Sequence, residues 1–115
     1  MRDERLYLHD ILAACDAIEG FLQGHDSDSF YADDKLESSV AYKLTIIGEA
    51  VSHLSDDLKA RYANIPWRDI VGFRNQAVHH YFGLFWNEVW ETASNEVPVL
   101  RDQVAEILRA DFPAS

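Results

Sequence analysis

The sequence predicts an all-α fold, an up-and-down helical bundle of about four main helices plus a short one, and two observations carry that expectation. Apolar residues recur at steps of three and four along most of the 115 residues, the period that places them on one face of a helix. No run alternates polar with apolar side chains, and no Asn-Gly or Asp-Gly pair separates two apolar segments, so strands and hairpins lack their signals. Amphipathic helices on short connections bury their stripes most simply against one another.

The first helix is read from Leu8, Ile11, Cys15, Ile18 and Leu22, with Asp10, Asp16 and Glu19 between them. Gly24 is its stop signal, and His25-Asp26-Ser27-Asp28-Ser29 reads as a loop. Asp33 or Asp34 caps a second, long helix carrying Leu36, Val40, Leu44, Ile47, Val51 and Leu54 on one face. Ser55-Asp56-Asp57 resembles a further helix start, which makes 58–62 a short helix before the Asn64-Ile65-Pro66 break. Pro66 suits a first helical turn because its missing N–H has no partner there. The third main helix is expected from about Trp67 towards Phe82, with Gly83 ending it. The last begins near Leu84 or Phe85, with Phe85, Val89, Ala93, Val97, Leu100, Val104 and Ile107 on one stripe. Pro98 inside that stripe removes a backbone hydrogen bond and crowds the preceding turn, so a kink is expected near Ser94.

Composition bounds the rest. With 48% hydrophobic residues and three tryptophans in 115 positions, the chain suffices for one packed core, so one domain is expected over 1–115, with a frayed tail at 110–115. The start, Met1-Arg2-Asp3-Glu4-Arg5, precedes no apolar run of signal-peptide length, and nothing approaches the ~20 apolar residues of a membrane span. The single cysteine, Cys15, makes neither an internal disulfide nor a multi-cysteine metal site. A soluble, cytoplasmic protein without membrane attachment is the expectation. The net charge of -10 argues against unspecific adhesion to nucleic acid, which draws its strength from neutralising phosphates. It is unevenly spread: residues 59–82 carry Lys59, Arg61, Arg68 and Arg74 against Asp69 alone, a local +3 beside -13 elsewhere. Such an island suits a bound phosphate or a docked protein, and chance clustering of solvated charge explains it equally well.

The densest group of reactive side chains is Arg74-Asn75-Gln76-Ala77-Val78-His79-His80-Tyr81. Arg74 carries a permanent charge in a planar fork that fits phosphate oxygens, and histidine passes protons near neutral pH. Metal-free RNA cleavage needs those parts: a base for the ribose 2′-hydroxyl, an acid for the leaving 5′-oxygen and a cation for the crowded phosphorus. Arg74 and Tyr81, seven positions apart, fall nearly on one helical face, whereas His79, five from Arg74, lies about 140° round the axis. Either the helix distorts, or the long arginine reaches round, or a second copy supplies half of the site; the last two together are favoured. Each residue also has a structural alternative. Tyr81 continues the apolar series Ile70, Phe73, Ala77 as a core tyrosine, Arg74 has twenty acids to pair with, and His79 and His80 suit the negative end of a helix. Glu49, beside Gly48 in Ile46-Ile47-Gly48-Glu49-Ala50, is either a buried partner for Arg74 or an edge charge, and Gly48 suggests close helix approach. His9-Asp10 and His25-Asp26 are isolated pairs without metal-ligand spacing, so no metal is expected. The serines lack a nucleophile elbow, and no glycine loop cradles phosphates.

At these residues the chain resembles the HepT-like branch of the HEPN superfamily. The likeness rests on Asp33-Asp34-Lys35, Ile46-Ile47-Gly48-Glu49-Ala50, Ile65-Pro66-Trp67-Arg68-Asp69-Ile70, the Arg-x4-His-x-Tyr motif at Arg74, His79 and Tyr81, Tyr81-Phe82-Gly83 and Val89-Trp90-Glu91-Thr92, and covers roughly residues 5 to 108. The resemblance implies a metal-independent ribonuclease of a toxin–antitoxin pair, needing no cofactor and acting on transfer or messenger RNA. It implies a homodimer with the motif arginine and histidine in a cleft between protomers. Arg74 would then stabilise the phosphate, His79 would transfer protons and Asn75 would orient the substrate. Tyr81 would receive AMP from an MntA-like nucleotidyltransferase antitoxin, which sets a negative phosphate against Arg74. The family commonly has glycine after the motif histidine; here His80 stands there, either narrowing the cleft or sharing the proton transfer. Two other readings stand beside the ribonuclease: a noncatalytic helical module that binds a nucleotide or a partner nucleotidyltransferase, and an acidic structural adaptor.

Overall fold

A computed structural model of the protein describes residues 3–79 and 85–113, with the backbone alone at 77–79. The described residues are helical with no strand. They form α1 (Glu4–Leu22), α2 (Ser27–Tyr31), α3 (Asp34–Ser52), α4 (Asp56–Arg61), α5 (Trp67–His79), α6 (Trp86–Glu91), a π segment (Thr92–Glu96) and α7 (Val97–Asp111). No helix among them is long and apolar enough to cross a membrane.

The helix starts follow from side chains that satisfy the free N–H groups of the first turn. Asp3 accepts from the N–H of Arg5, Asp33 from that of Leu36 and Ser55 from that of Leu58. Gly24 ends the first helical region at φ +79°, a conformation that side-chain-bearing residues rarely adopt. α3 packs against both α1 and α5, and α1 also packs against α7, so α3 and α1 form the centre of the bundle. The expected stripes make the core: Leu8, Ile11, Cys15 and Ile18 from α1, Val40, Leu44, Ile47 and Val51 from α3, and Val89, Val97, Val104 and Ile107 from the last helical region are all buried.

Four details depart from the sequence reading or refine it. The segment expected as a loop at 25–29 runs into α2, which is opened by a capping box in which Asp26 accepts from the Ser29 N–H and Ser29 Oγ accepts from the Asp26 N–H. Its cause is distant in sequence: Phe30 is fully buried against the rings of Trp86 and Trp90, with centroids 6.4 and 5.3 Å away. Phe85, expected on the buried stripe, is exposed and stands just ahead of α6 as its cap residue. The disruption expected near Ser94 is a π turn: the Val97 N–H donates to the Thr92 carbonyl, five residues back, so the ladder has already changed register before it meets Pro98 in the first turn of α7. α7 runs to Asp111, which accepts from the Tyr62 hydroxyl at 2.9 Å and pairs with Arg61 at 3.2 Å. The fraying expected over 110–115 therefore does not begin at Ala110, and 114–115 lie outside the described residues. So do Phe82 and Gly83, the expected end of the third main helix.

Candidate active site

The site is built where α5 crosses α3, and Gly48 sets the distance between them. A Cβ at position 48 would meet Arg74 Cβ at 2.4 Å and the Ile70 carbonyl oxygen at 3.0 Å, so only glycine lets the two helices approach this closely. The arginine stem therefore lies directly on the α3 backbone. One residue further along α3, Glu49 turns its Oε2 towards Arg74 Nε at 3.5 Å. The Arg74 side chain is 26% exposed and Glu49 54%. Glu49 is thus a half-exposed partner of Arg74, rather than a buried one. Arg74 Nε is itself buried and has no hydrogen-bond partner among the described residues, Glu49 Oε2 at 3.5 Å standing beyond ordinary N–H···O distance.

Asn75 is exposed beside Arg74. His79 is the final residue of α5, and the α-helical backbone is continuous from Arg74 to His79. The helix is undistorted between these two residues, and the expected helix end beyond His79, where a distortion was the first of the three ways to align the motif, lies outside the described residues. Five helical steps put the two Cα positions about 7.5 Å apart along the axis and about 140° apart around it. His80 and Tyr81, the remaining predicted site residues, lie outside the described residues, as does the His79 side chain.

The basic island is partly neutralised within the fold. Arg61 pairs with Asp57 and Asp111, and Arg74 with Glu49. Lys59 and Arg68 line a shallow depression next to Pro66 and Trp67, shared with Asp56 and Asp69. Between α3, α5, the π segment and α7 lies a cavity of about 630 Å³, with Leu44, Ile47, Ile70 and Phe73 as apolar lining and Gln76 and Asn95 among its polar groups. Among the described residues no cluster of three His, Cys, Asp or Glu side chains is arranged to hold a metal ion.

Sequence reasoning overlooked His53, whose Nε2 lies 3.2 Å from Glu49 Oε1. The available signal was its place four residues after Glu49 on a helix, a spacing that brings side chains together.

A family model described as "Ribonuclease HepT-like" matches residues 11–107. The chain is 35% identical to a protein of Caldanaerobacter subterraneus subsp. tengcongensis named "Putative RNase TTE0752", over 96% of this chain and 99% of that one. It is 32% identical to "Probable ribonuclease HepT" of Thermococcus cleftensis, over 92% of this chain and 96% of that one. No solved structure matches the chain.

Proposed function

The chain belongs to the HepT-like ribonuclease family, and from that premise we propose that it is a metal-independent endoribonuclease toxin whose working groups are Arg74 and His79 in a cleft between two copies. The observation that supports this reading most is the placement of Arg74: its stem is pinned on Gly48 and a carboxylate attends its Nε, which orients a permanent cation without enclosing it. In the proposed reaction a histidine takes the 2′-hydroxyl proton, the 2′-oxygen attacks the adjacent phosphorus, and the 5′-oxygen leaves with a proton from an acid. A 2′,3′-cyclic phosphate and a free 5′-hydroxyl result. Arg74 stabilises the charge that gathers on the non-bridging oxygens as phosphorus becomes five-coordinate. Two copies in a homodimer bring two imidazoles to one cleft, which supplies base and acid together and offsets the 140° between the groups on a single helix. Asn75 orients the phosphate, and His80 either narrows the cleft or joins the proton transfer.

Regulation completes the proposal. Tyr81, two residues past His79, accepts AMP from a nucleotidyltransferase antitoxin of the MntA type, and the added phosphate occupies the positive charge that RNA needs. The setting is cytoplasmic, and the RNA is a transfer or messenger RNA. Expression of the wild-type chain alone is expected to arrest growth, and His79→Ala to restore it; co-expression of the antitoxin should add the mass of one AMP to the wild type and none to Tyr81→Phe. Equal toxicity of wild type and His79→Ala would refute the assignment.

The noncatalytic reading, a module that holds a nucleotide or a partner nucleotidyltransferase, draws support from the net charge of -10 and from the pairing of Arg61 and Arg74 with carboxylates. It requires nucleotide or partner binding without RNA cleavage, also after removal of any AMP from the tyrosine.

A further inference from the structure

Glu49 bridges two groups. While Oε2 faces Arg74 Nε at 3.5 Å, Oε1 lies 3.2 Å from His53 Nε2. His53 is held in turn: it caps the C-terminal end of α3, where its backbone N–H donates to the carbonyls of Ala50 and Val51. Its ring lies flat against Tyr7 of α1, with centroids 4.8 Å apart and planes within 12°. An exposed glutamate left to itself samples many rotamers, and a lone surface ion pair rarely holds one geometry. Glu49 is 54% exposed, so its pairing with Arg74 calls for a second anchor. The imidazole, itself half-exposed, stands in the place of such an anchor, with a helix end below it and a stacked ring beside it.

We propose that His53 is a positioning residue for the ribonuclease site: its Nε2–H donates to Glu49 Oε1 and keeps Oε2 on the buried Arg74 Nε, so that the outer edge of the guanidinium is set in advance for a phosphate. Orientation achieved in the fold need not be achieved again when RNA binds, which is where preorganised groups gain rate. The inference rests on Arg74 being the phosphate-binding group of the proposed nuclease. It adds a line of side chains from α1 to α5, Tyr7 to His53 to Glu49 to Arg74, that the Arg-x4-His-x-Tyr motif does not contain.

The test has a spectroscopic arm and a kinetic arm on the full chain. The Arg74 Nε–H signal in a ¹⁵N spectrum, assigned by its loss in Arg74→Lys, is expected to exchange slowly with water in the wild type. In His53→Ala it should exchange about tenfold faster, and in His53→Gln, whose amide also donates to a carboxylate, it should stay close to the wild type. In cleavage assays His53→Ala is expected to lower kcat about 5–10-fold with KM for RNA within about twofold, and His53→Gln to recover most of the loss. In a Glu49→Ala background, His53→Ala should have no further effect on kcat. An unchanged Arg74 Nε–H exchange rate in His53→Ala, or kcat losses that multiply across the two positions, would overturn the positioning role. If the wild type cleaves no RNA, the nuclease reading fails, and the exchange measurement alone still decides whether His53 orders Arg74.

Discussion

Replacing Gly48 by alanine tests the helix crossing that places Arg74. The added Cβ meets Arg74 Cβ at 2.4 Å and the Ile70 carbonyl at 3.0 Å, whereas carbon atoms rest about 3.5–4.0 Å apart. α5 must therefore retreat from α3 by roughly 1 Å. Overpacking of this kind costs about 1–3 kcal/mol, and alanine returns up to about 1 kcal/mol through its better helix propensity. The net expectation is a loss of about 1–2 kcal/mol, or roughly 4–8 °C in Tm for a chain of this length. Circular dichroism at 222 nm during heating reads this directly. Gly20 supplies the control, since it is also helical but has nothing within 4 Å of a new Cβ; Gly20→Ala should melt at the wild-type temperature or above. Because the displaced group is Arg74, cleavage should fall with Gly48→Ala by up to about 100-fold, the scale on which a 1 Å misplacement acts. A Tm for Gly48→Ala equal to or above the wild type would refute the close crossing.

The short helix α2 is expected to depend on its anchor: Phe30→Ala, at a fully buried ring against Trp86 and Trp90, should cost about 3–5 kcal/mol in urea titrations, and a loss below about 1 kcal/mol would mean that the ring carries little of the packing. Burial, followed by the negative charges of Asp16 and Glu19 and opposed by Arg101, pushes the Cys15 thiol up to about 12, so it should resist Ellman's reagent at pH 8 in the folded chain and react at once in urea. Burial first, then Asp34 and Asp33, hold the Glu37 carboxyl above its usual range. The folded chain then binds the Glu37 proton more readily than the unfolded chain does. This group's contribution to stability accordingly falls as pH rises from the ordinary glutamate range through the raised value, and returns on acidification. Glu37→Gln should raise the urea midpoint at pH 7 and lose that advantage in acid, and an unchanged midpoint at pH 7 would show that burial of the carboxylate carries no penalty.

Much of the bundle was legible because its stripes are local. Leu8, Ile11, Cys15 and Ile18 are buried as their spacing requires, and the caps Asp33 and Ser55 are ordinary polar residues ahead of apolar periods. α2 was not legible, because Ser27-Asp28-Ser29 carries no helical stripe and its cause is Phe30 meeting two tryptophans more than fifty positions away. Pro98 announced a disturbance, but not that the ladder would absorb it as a π turn at Thr92–Glu96. At the site, Gly48 signalled the close crossing, whereas the sequence left Glu49 as either a buried partner for Arg74 or an edge charge. Its exposure was not readable, since that depends on where the α3 face meets the edge of α5. His53 was missed although it stands four residues after Glu49, because a histidine at a helix end has an ordinary role there until the stacking on Tyr7 is known.

Whether Arg74 and His79 cut RNA without a metal is read from cleavage of a labelled RNA by purified wild type, Arg74→Ala and His79→Ala in the presence of a metal chelator. The wild type is expected to cleave to products ending in a 2′,3′-cyclic phosphate, and each variant to lose at least about 100-fold while helicity at 222 nm is retained. Cleavage at the wild-type rate by either folded variant would contradict that expectation.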